Sequence, residues 1–209
     1  MRYSKEHKQE THARIVRKAS VRLREKGAHG VGVADLMKEA GLTHGGFYAH
    51  FPSRDALLAE AFAYAMDRST EHWRKLTEQT APEKRLALIA ESYLSMPHRD
   101  DPGHGCAIVA LGAEIARESP KTRRAFSGKI DQMIELMADQ ITAVPRKAAR
   151  KQAIATLITM AGTLLLARVA GAGELSEEVL KAGREAAIER ARGGKAKPSA
   201  AKKPRARPL

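Results

Sequence analysis

Residues 41–55, Gly-Leu-Thr-His-Gly-Gly-Phe-Tyr-Ala-His-Phe-Pro-Ser-Arg-Asp, constrain this chain more than any other stretch. They read as the second half of a helix-turn-helix. Ahead of them, 33–40 supplies a short amphipathic helix with Leu36 and Met37 available for a core. Gly41 sits where a sharp turn needs positive φ, which glycine adopts at little steric cost. Thr43 is placed to cap the next helix, its hydroxyl accepting a free backbone N–H. That helix carries Gly45 and Gly46, each costing about 1 kcal/mol relative to alanine in a helix interior. Two glycines there point to close approach of another molecule, and DNA backbone or base edges fit. Phe47 and Phe51 read as inward anchors, and Tyr48 and His50 as polar tips. Pro52-Ser53-Arg54 then breaks the chain and starts a long helix.

From about Arg14 to Leu58 the sequence resembles the TetR (tetracycline-repressor-like) family of bacterial transcriptional regulators. The carriers are Ile15, Ala19, Leu23 and Gly27, then Ala40-Gly41-Leu42-Thr43, Gly46, Phe47-Tyr48, His50-Phe51 and Ser53-Arg54-Asp55-Ala56-Leu57. A bare helix-turn-helix pattern is weak; Tyr-x-His-Phe-x-Ser-Arg at this offset is specific. The chain departs from the pattern at Val33, where the family commonly has a threonine that caps the second helix and touches a phosphate. Valine can do neither through its side chain.

Charge follows the same division. Of a formal net +13, residues 1–55 hold 11 Lys and Arg against 6 acids, and residues 192–209 hold 7 basic residues and none acidic. That leaves +1 for 56–191, as expected of a nucleic-acid head joined to a ligand or dimer domain. A chain of 209 residues suffices for one or two domains with a sizeable core. The single cysteine, Cys106, excludes an intramolecular disulfide and fits a reducing, cytoplasmic setting. Residues 1–30 are charged and do not read as a signal peptide. The most apolar stretch, 153–167, reads as too short for a membrane span and better as a buried or interface helix.

Helical periodicity dominates, and no sustained alternation signals a strand. The expected class is therefore all-α: a three-helix head (1–53, motif about 33–51), a larger helical domain (54–191) and a basic tail (192–209). The first helix, about 5–26, carries Ile15, Ala19 and Leu23 on one face. Later helices are expected at about 54–78, 83–96, 106–118, from Pro120 through Ile141, at 146–170, and from Ser176 to Gly193-Gly194. A loop spans 97–105. Ser176 is expected to cap the last helix, with Leu175 and Leu180 forming a hydrophobic staple. The tail holds no large apolar residue before Leu209 and reads as disordered; it is either simply solvated or a non-specific phosphate contact.

The resemblance implies that Thr43, Tyr48, His50 and Arg54 contact phosphates, with Gly46 in the motif, while His44 and Gly45 face base edges. It also implies a homodimer through about 146–170 and 176–191, operator DNA as partner, and a small-molecule effector. Trp73, Tyr93, Phe126, Met133 and Met137 read as core positions, some of which line an effector cavity in this family. Cys106 follows His104-Gly105 at a helix start, where the N-terminal dipole favours a thiolate and His98, Arg99 and His104 could add positive charge. It reads either as a small buried residue or as a sensor of electrophiles. His98, Asp100, Asp101, His104 and Cys106 match no standard closed metal site. No metal, cofactor or membrane association is expected. The expected function is a sequence-specific regulator, most simply a repressor released by an effector. A non-specific nucleic-acid binder and an enzyme are the rival classes, although no nucleophile–base–orienter set is evident.

Overall fold

Apolar spacing of three and four residues builds helices almost throughout this chain. The computed structural model describes residues 5–191, and among them every regular element is helical. The order is α1 (Lys5–Lys26), α2 (Val33–Glu39), a 3₁₀ helix (His44–Ala49), α3 (Arg54–Thr77), α4 (Pro82–Tyr93) and α5 (Met96–Asp100). Then follow α6 (Ala107–Ile115), α7 (Pro120–Asp139), α8 (Arg146–Ala170) and α9 (Glu174–Ala191). The basic tail and the Gly193-Gly194 stop lie outside the described residues.

One buried core runs from Ile15 in α1 to Ala187 in α9. α3 links its two ends. It buries Leu57, Leu58 and Ala61 near its start and Met66, Thr70 and Trp73 further on. α1 packs on α3, and α7 packs on α3 and α8. α8 and α9 form the most extensive helix pair. Proline and serine set several boundaries. Ser53 accepts from the Ala56 N–H, and Ser119 accepts from the Thr122 N–H ahead of Pro120. Each such cap stabilises its helix by about 1 kcal/mol.

Four local expectations are corrected. The segment after the turn is a 3₁₀ helix, and Thr43 occupies its cap position without a side-chain capping bond. Residues 96–100 are helical: Ser95 caps them, and Pro97 sits in the first turn, where its missing N–H costs nothing. α9 begins at Glu174, so Ser176 lies inside the helix, fully buried; its hydroxyl donates to the Ala167 carbonyl at 2.8 Å. Leu175 is 62 % exposed and staples nothing.

At 25 residues, α8 is long and apolar enough by length and composition to cross a membrane, so 153–167 understates its extent. One face is buried, with Ala153, Leu157, Met160, Leu164 and Ala167 in the core. The opposite face leaves Ile158, Leu165, Leu166 and Val169 exposed.

Candidate nucleic-acid interface and junction cavity

Gly41 takes φ +74°, and its N–H bonds the Lys38 carbonyl at 3.0 Å, closing the turn between α2 and the 3₁₀ helix. Behind the 3₁₀ helix the anchors are aromatic. Phe47 and Phe51 are buried and stacked with ring centroids 5.5 Å apart. His12 of α1 stacks on Phe51 at 4.4 Å and pairs with Glu60 of α3 at 2.5 Å. Burial of each phenylalanine contributes about 1.5–3 kcal/mol, so the outer face of this short helix is held from behind.

That outer face carries Thr43, His44 and Gly45, all exposed, with Tyr48 72 % exposed. A Cβ added at Gly45 would meet nothing within 4 Å, and neither Gly45 nor Gly46 has positive φ. The protein's own packing therefore gives no reason for glycine at 45. At Gly46 a Cβ would touch Met37 Cε at 3.6 Å, an ordinary contact. His50 is half-buried, and its Nδ1 is buried with no hydrogen-bond partner among the described residues. Burial first, then the nearby charges of His12 and Lys8, holds its pKa below the usual histidine value. Arg54 does not stand free beside Tyr48. Its guanidinium donates to the Ala28 carbonyl and lies 3.4 Å from His29 Nδ1.

The turn that Arg54 grips is also gripped from the larger helical body. Glu114 of α6 accepts the Ala28 N–H at 2.6 Å. Arg24 of α1 donates from Nη1 to the Gly105 carbonyl at 2.8 Å. Sequence reading missed both links, since each joins residues more than eighty positions apart.

Around Cys106 the geometry is equally specific. Cys106 is 3 % exposed and occupies the N-cap of α6. Its backbone N–H donates to His98 Nε2 at 3.0 Å, while His98 Nδ1 lies 2.6 Å from the Tyr93 carbonyl. An imidazole that accepts at Nε2 and donates at Nδ1 is neutral. Burial, the largest influence, accordingly pushes the His98 pKa down. Gly105 has no room for a side chain: a Cβ there would lie 2.5 Å from Arg168 Nη2 and 3.0 Å from His98 Nε2. The cations acting on Cys106 are Arg24 and Arg168 rather than those expected from sequence. Arg99 turns to Asp100 and Ser176, and exposed His104 pairs with Asp101. With those groups so engaged, the loop does not gather as a ligand set. Among the described residues no three His, Cys, Asp or Glu side chains do.

A cavity of about 540 Å³ opens between α1 and the body. Trp73, Tyr93, His104, Cys106 and Met133 line it. Phe126 instead packs on Phe62 at 3.9 Å, and Met137 is fully buried in the core. Arg17, Arg24 and Arg68, not singled out in the sequence, also line the cavity.

Residues 15–61 match the family model described as "Bacterial regulatory proteins, tetR family". The Mycobacterium tuberculosis H37Rv protein "Uncharacterized HTH-type transcriptional regulator Rv0196" is 29% identical over 164 residues, 75% of this chain and 83% of its own. A TetR transcriptional regulator from Chloroflexus aurantiacus has the same fold, with a TM-score of 0.72 at 23% identity over 88% of this chain and 94% of that one. FadR from Bacillus subtilis, in complex with stearoyl-CoA, gives a TM-score of 0.64 at 18% identity over 87% and 98%. The matched segment is the one that carries the anchored helix-turn-helix, and the full helical architecture extends the likeness beyond it. Residues 15–61 thus carry a TetR-family helix-turn-helix, and the chain as a whole is similar in sequence and in fold to DNA-binding transcriptional regulators of that family.

Proposed function

We propose that this regulator is a homodimeric, cytoplasmic repressor that leaves its operator when an effector occupies the junction cavity. The observation that carries the reading is the exposed edge Thr43–His44–Gly45–Tyr48, held from behind by Phe47 and Phe51. Thr43 and Tyr48 would meet phosphates, and His44 with Gly45 would face base edges in the major groove. His50 is half-buried and Arg54 is tied to Ala28, so both serve the edge through its support until DNA draws them outward.

The exposed stripe Ile158, Leu165, Leu166 and Val169 supports dimerisation through α8 and α9, because contiguous exposed apolar surface marks interfaces. A pair of heads then reads half-sites one helical turn apart, or a multiple of it. FadR, solved with stearoyl-CoA, is a protein of this fold with a small molecule bound. Here the cavity contacts both α1 of the head and the body, so occupancy would bias their arrangement.

A cysteine-reactive effector is the second reading. Cys106 lines the cavity, and the guanidinium groups of Arg24 and Arg168 lie close enough to act on it. Cys106 is buried, so a group added to its sulfur would have to displace its neighbours or enter the cavity. Operator release by an electrophile from wild type but not from Cys106→Ser supports this trigger, and equal release from both removes it.

Selection of bound fragments from random DNA by the purified protein tests the main reading. A pseudo-palindrome bound far more tightly than scrambled DNA at fixed salt is expected. Equal affinities would instead indicate a non-specific binder.

A further inference from the structure

The junction cavity has a one-sided electrostatic character. Arg17 and Arg24 reach it from α1 and Arg68 from α3, and neither aspartate nor glutamate is among its lining residues. Arg24 is only 8 % exposed, yet its hydrogen bonds go to the carbonyls of Ser20 and Gly105, neither of which neutralises it. Among the described residues Arg17, Arg24 and Arg68 form no ion pair. The groups that act on Arg24 are first the Cys106 thiol on the cavity wall and then Asp101, whose carboxylate sits outside the cavity and is held by His104. A solvated arginine on a helix face is ordinary. Three around one concave wall without an acid make a field that concentrates anions.

A second observation points into the same space. The Tyr93 hydroxyl is buried on the cavity wall beside the Cys106 thiol, and no nitrogen or oxygen of the described residues bonds it. A thiol sulfur is a weak acceptor, and a ligand oxygen reaching this wall satisfies the buried hydroxyl better. Trp73 and Met133 supply apolar surface on the body side, and Trp73 meets the Tyr93 ring edge-on at 6.1 Å. The cavity volume, about 540 Å³, is in the range that encloses a small organic molecule.

We infer that the junction cavity binds an amphipathic organic anion, its charge held by Arg17, Arg24 and Arg68 and its apolar body by Trp73 and Met133. This deepens the effector-responsive reading and rests on it for its regulatory meaning. The anion neutralises head arginines while its body packs on the larger domain. Its binding free energy therefore depends on how α1 sits against α3, as a ligand that shifts an equilibrium between two states requires.

Trp73 is the chain's only tryptophan and lines the cavity, so its fluorescence reports occupancy. The full chain is titrated with octanoate against octanamide and cyclohexanecarboxylate against its carboxamide. Octyl phosphate serves as the arm that tells carboxylate from phosphate heads. The acids are expected to bind at least about tenfold more tightly than the matched amides. Arg17→Gln/Arg68→Gln, both at exposed positions and so compatible with folding, is expected to lose most of that preference. Equal affinity for acid and amide, no Trp73 response to any acid, or an unchanged preference in the double variant overturns the inference. Operator binding is followed in the same titrations. Acid binding without operator release keeps the anion site and removes its regulatory role. Release by amides and acids alike keeps regulation and removes the anion site.

Discussion

The Glu114 carboxylate accepts the backbone N–H of Ala28 at 2.6 Å, and the carbonyl of the same Ala28 accepts from Arg54. One peptide segment of the head is thus held from α6 on one side and from the start of α3 on the other. A charged acceptor on a backbone donor is among the stronger hydrogen bonds. Glu114→Ala should lower stability by about 1–2 kcal/mol by leaving that N–H unpaired. It should also weaken operator binding, because the head loses a fixed orientation. Glu114→Gln keeps an acceptor oxygen and should fall between. Thermal melts and operator titrations of both variants provide the check, and wild-type operator affinity in Glu114→Ala would remove the orienting role.

Gly45 separates stability from function. A Cβ there meets nothing within 4 Å, and φ is not positive, so alanine fits the folded protein. Gly45→Ala should leave stability unchanged or raise it by about 0.4–1 kcal/mol through a less flexible unfolded chain. Operator affinity should nonetheless fall, because the methyl group occupies the gap through which backbone and base edge approach. A variant that melts higher and binds operator as well as wild type would show that the glycine is not there for DNA.

The two exposed polar side chains on this edge should behave differently. Tyr48→Ala should weaken binding to operator and scrambled DNA by similar factors, as loss of a phosphate contact does. His44→Ala should change the ranking among operator variants by about 1–3 kcal/mol at one base pair. Affinities measured across a set of single-base operator variants distinguish the two patterns, and an unaltered ranking for His44→Ala removes it from base reading.

Legibility from sequence followed the range of the interactions. Gly41, Phe47, Phe51 and Ser119-Pro120 were readable because turns, aromatic anchors and caps are settled within a few residues. Ser176 was misread because its hydroxyl has a better partner in the Ala167 carbonyl across the α8–α9 corner, which pulls it into the helix. Arg54 carries the family's motif, yet its guanidinium is taken by a carbonyl 26 positions earlier. The arginines of the junction cavity could not be grouped from spacing, since Arg17, Arg24 and Arg68 converge only once α1 lies on α3. The charges around Cys106 were misassigned for the same reason: Arg168 arrives from α8, whereas neighbouring Arg99 turns away.

The outward face of α8 should carry the dimer. Ile158, Leu166 and Val169 are 67 %, 60 % and 78 % exposed, large apolar groups that an isolated soluble helix rarely leaves together in water. Leu166→Glu/Val169→Glu removes apolar contact and places like charges opposite their symmetry mates. Sedimentation should then give a monomer with unchanged helicity, and operator affinity should collapse because two half-sites are no longer read together. A dimer that persists would place the interface elsewhere.

His98 should make the junction acid-sensitive. Its neutral ring bridges the Tyr93 carbonyl and the Cys106 N–H, and burial holds its pKa below the usual 6.5. As pH falls, the unfolded chain takes up this proton before the folded one does. The stability contribution is therefore complete above the unfolded value and declines as pH drops below it. His50, shifted in the same direction, adds to the slope from the head. Melting temperature should drop between about pH 7.5 and 5.5, a window that spans the unfolded histidine pKa. His98→Gln offers an amide donor and a carbonyl acceptor to the same two partners without titrating, so its melting temperature should depend less on pH. A slope equal to wild type would place the acid sensitivity at His50 or elsewhere, and would mean that protonation of His98 does not open the start of α6.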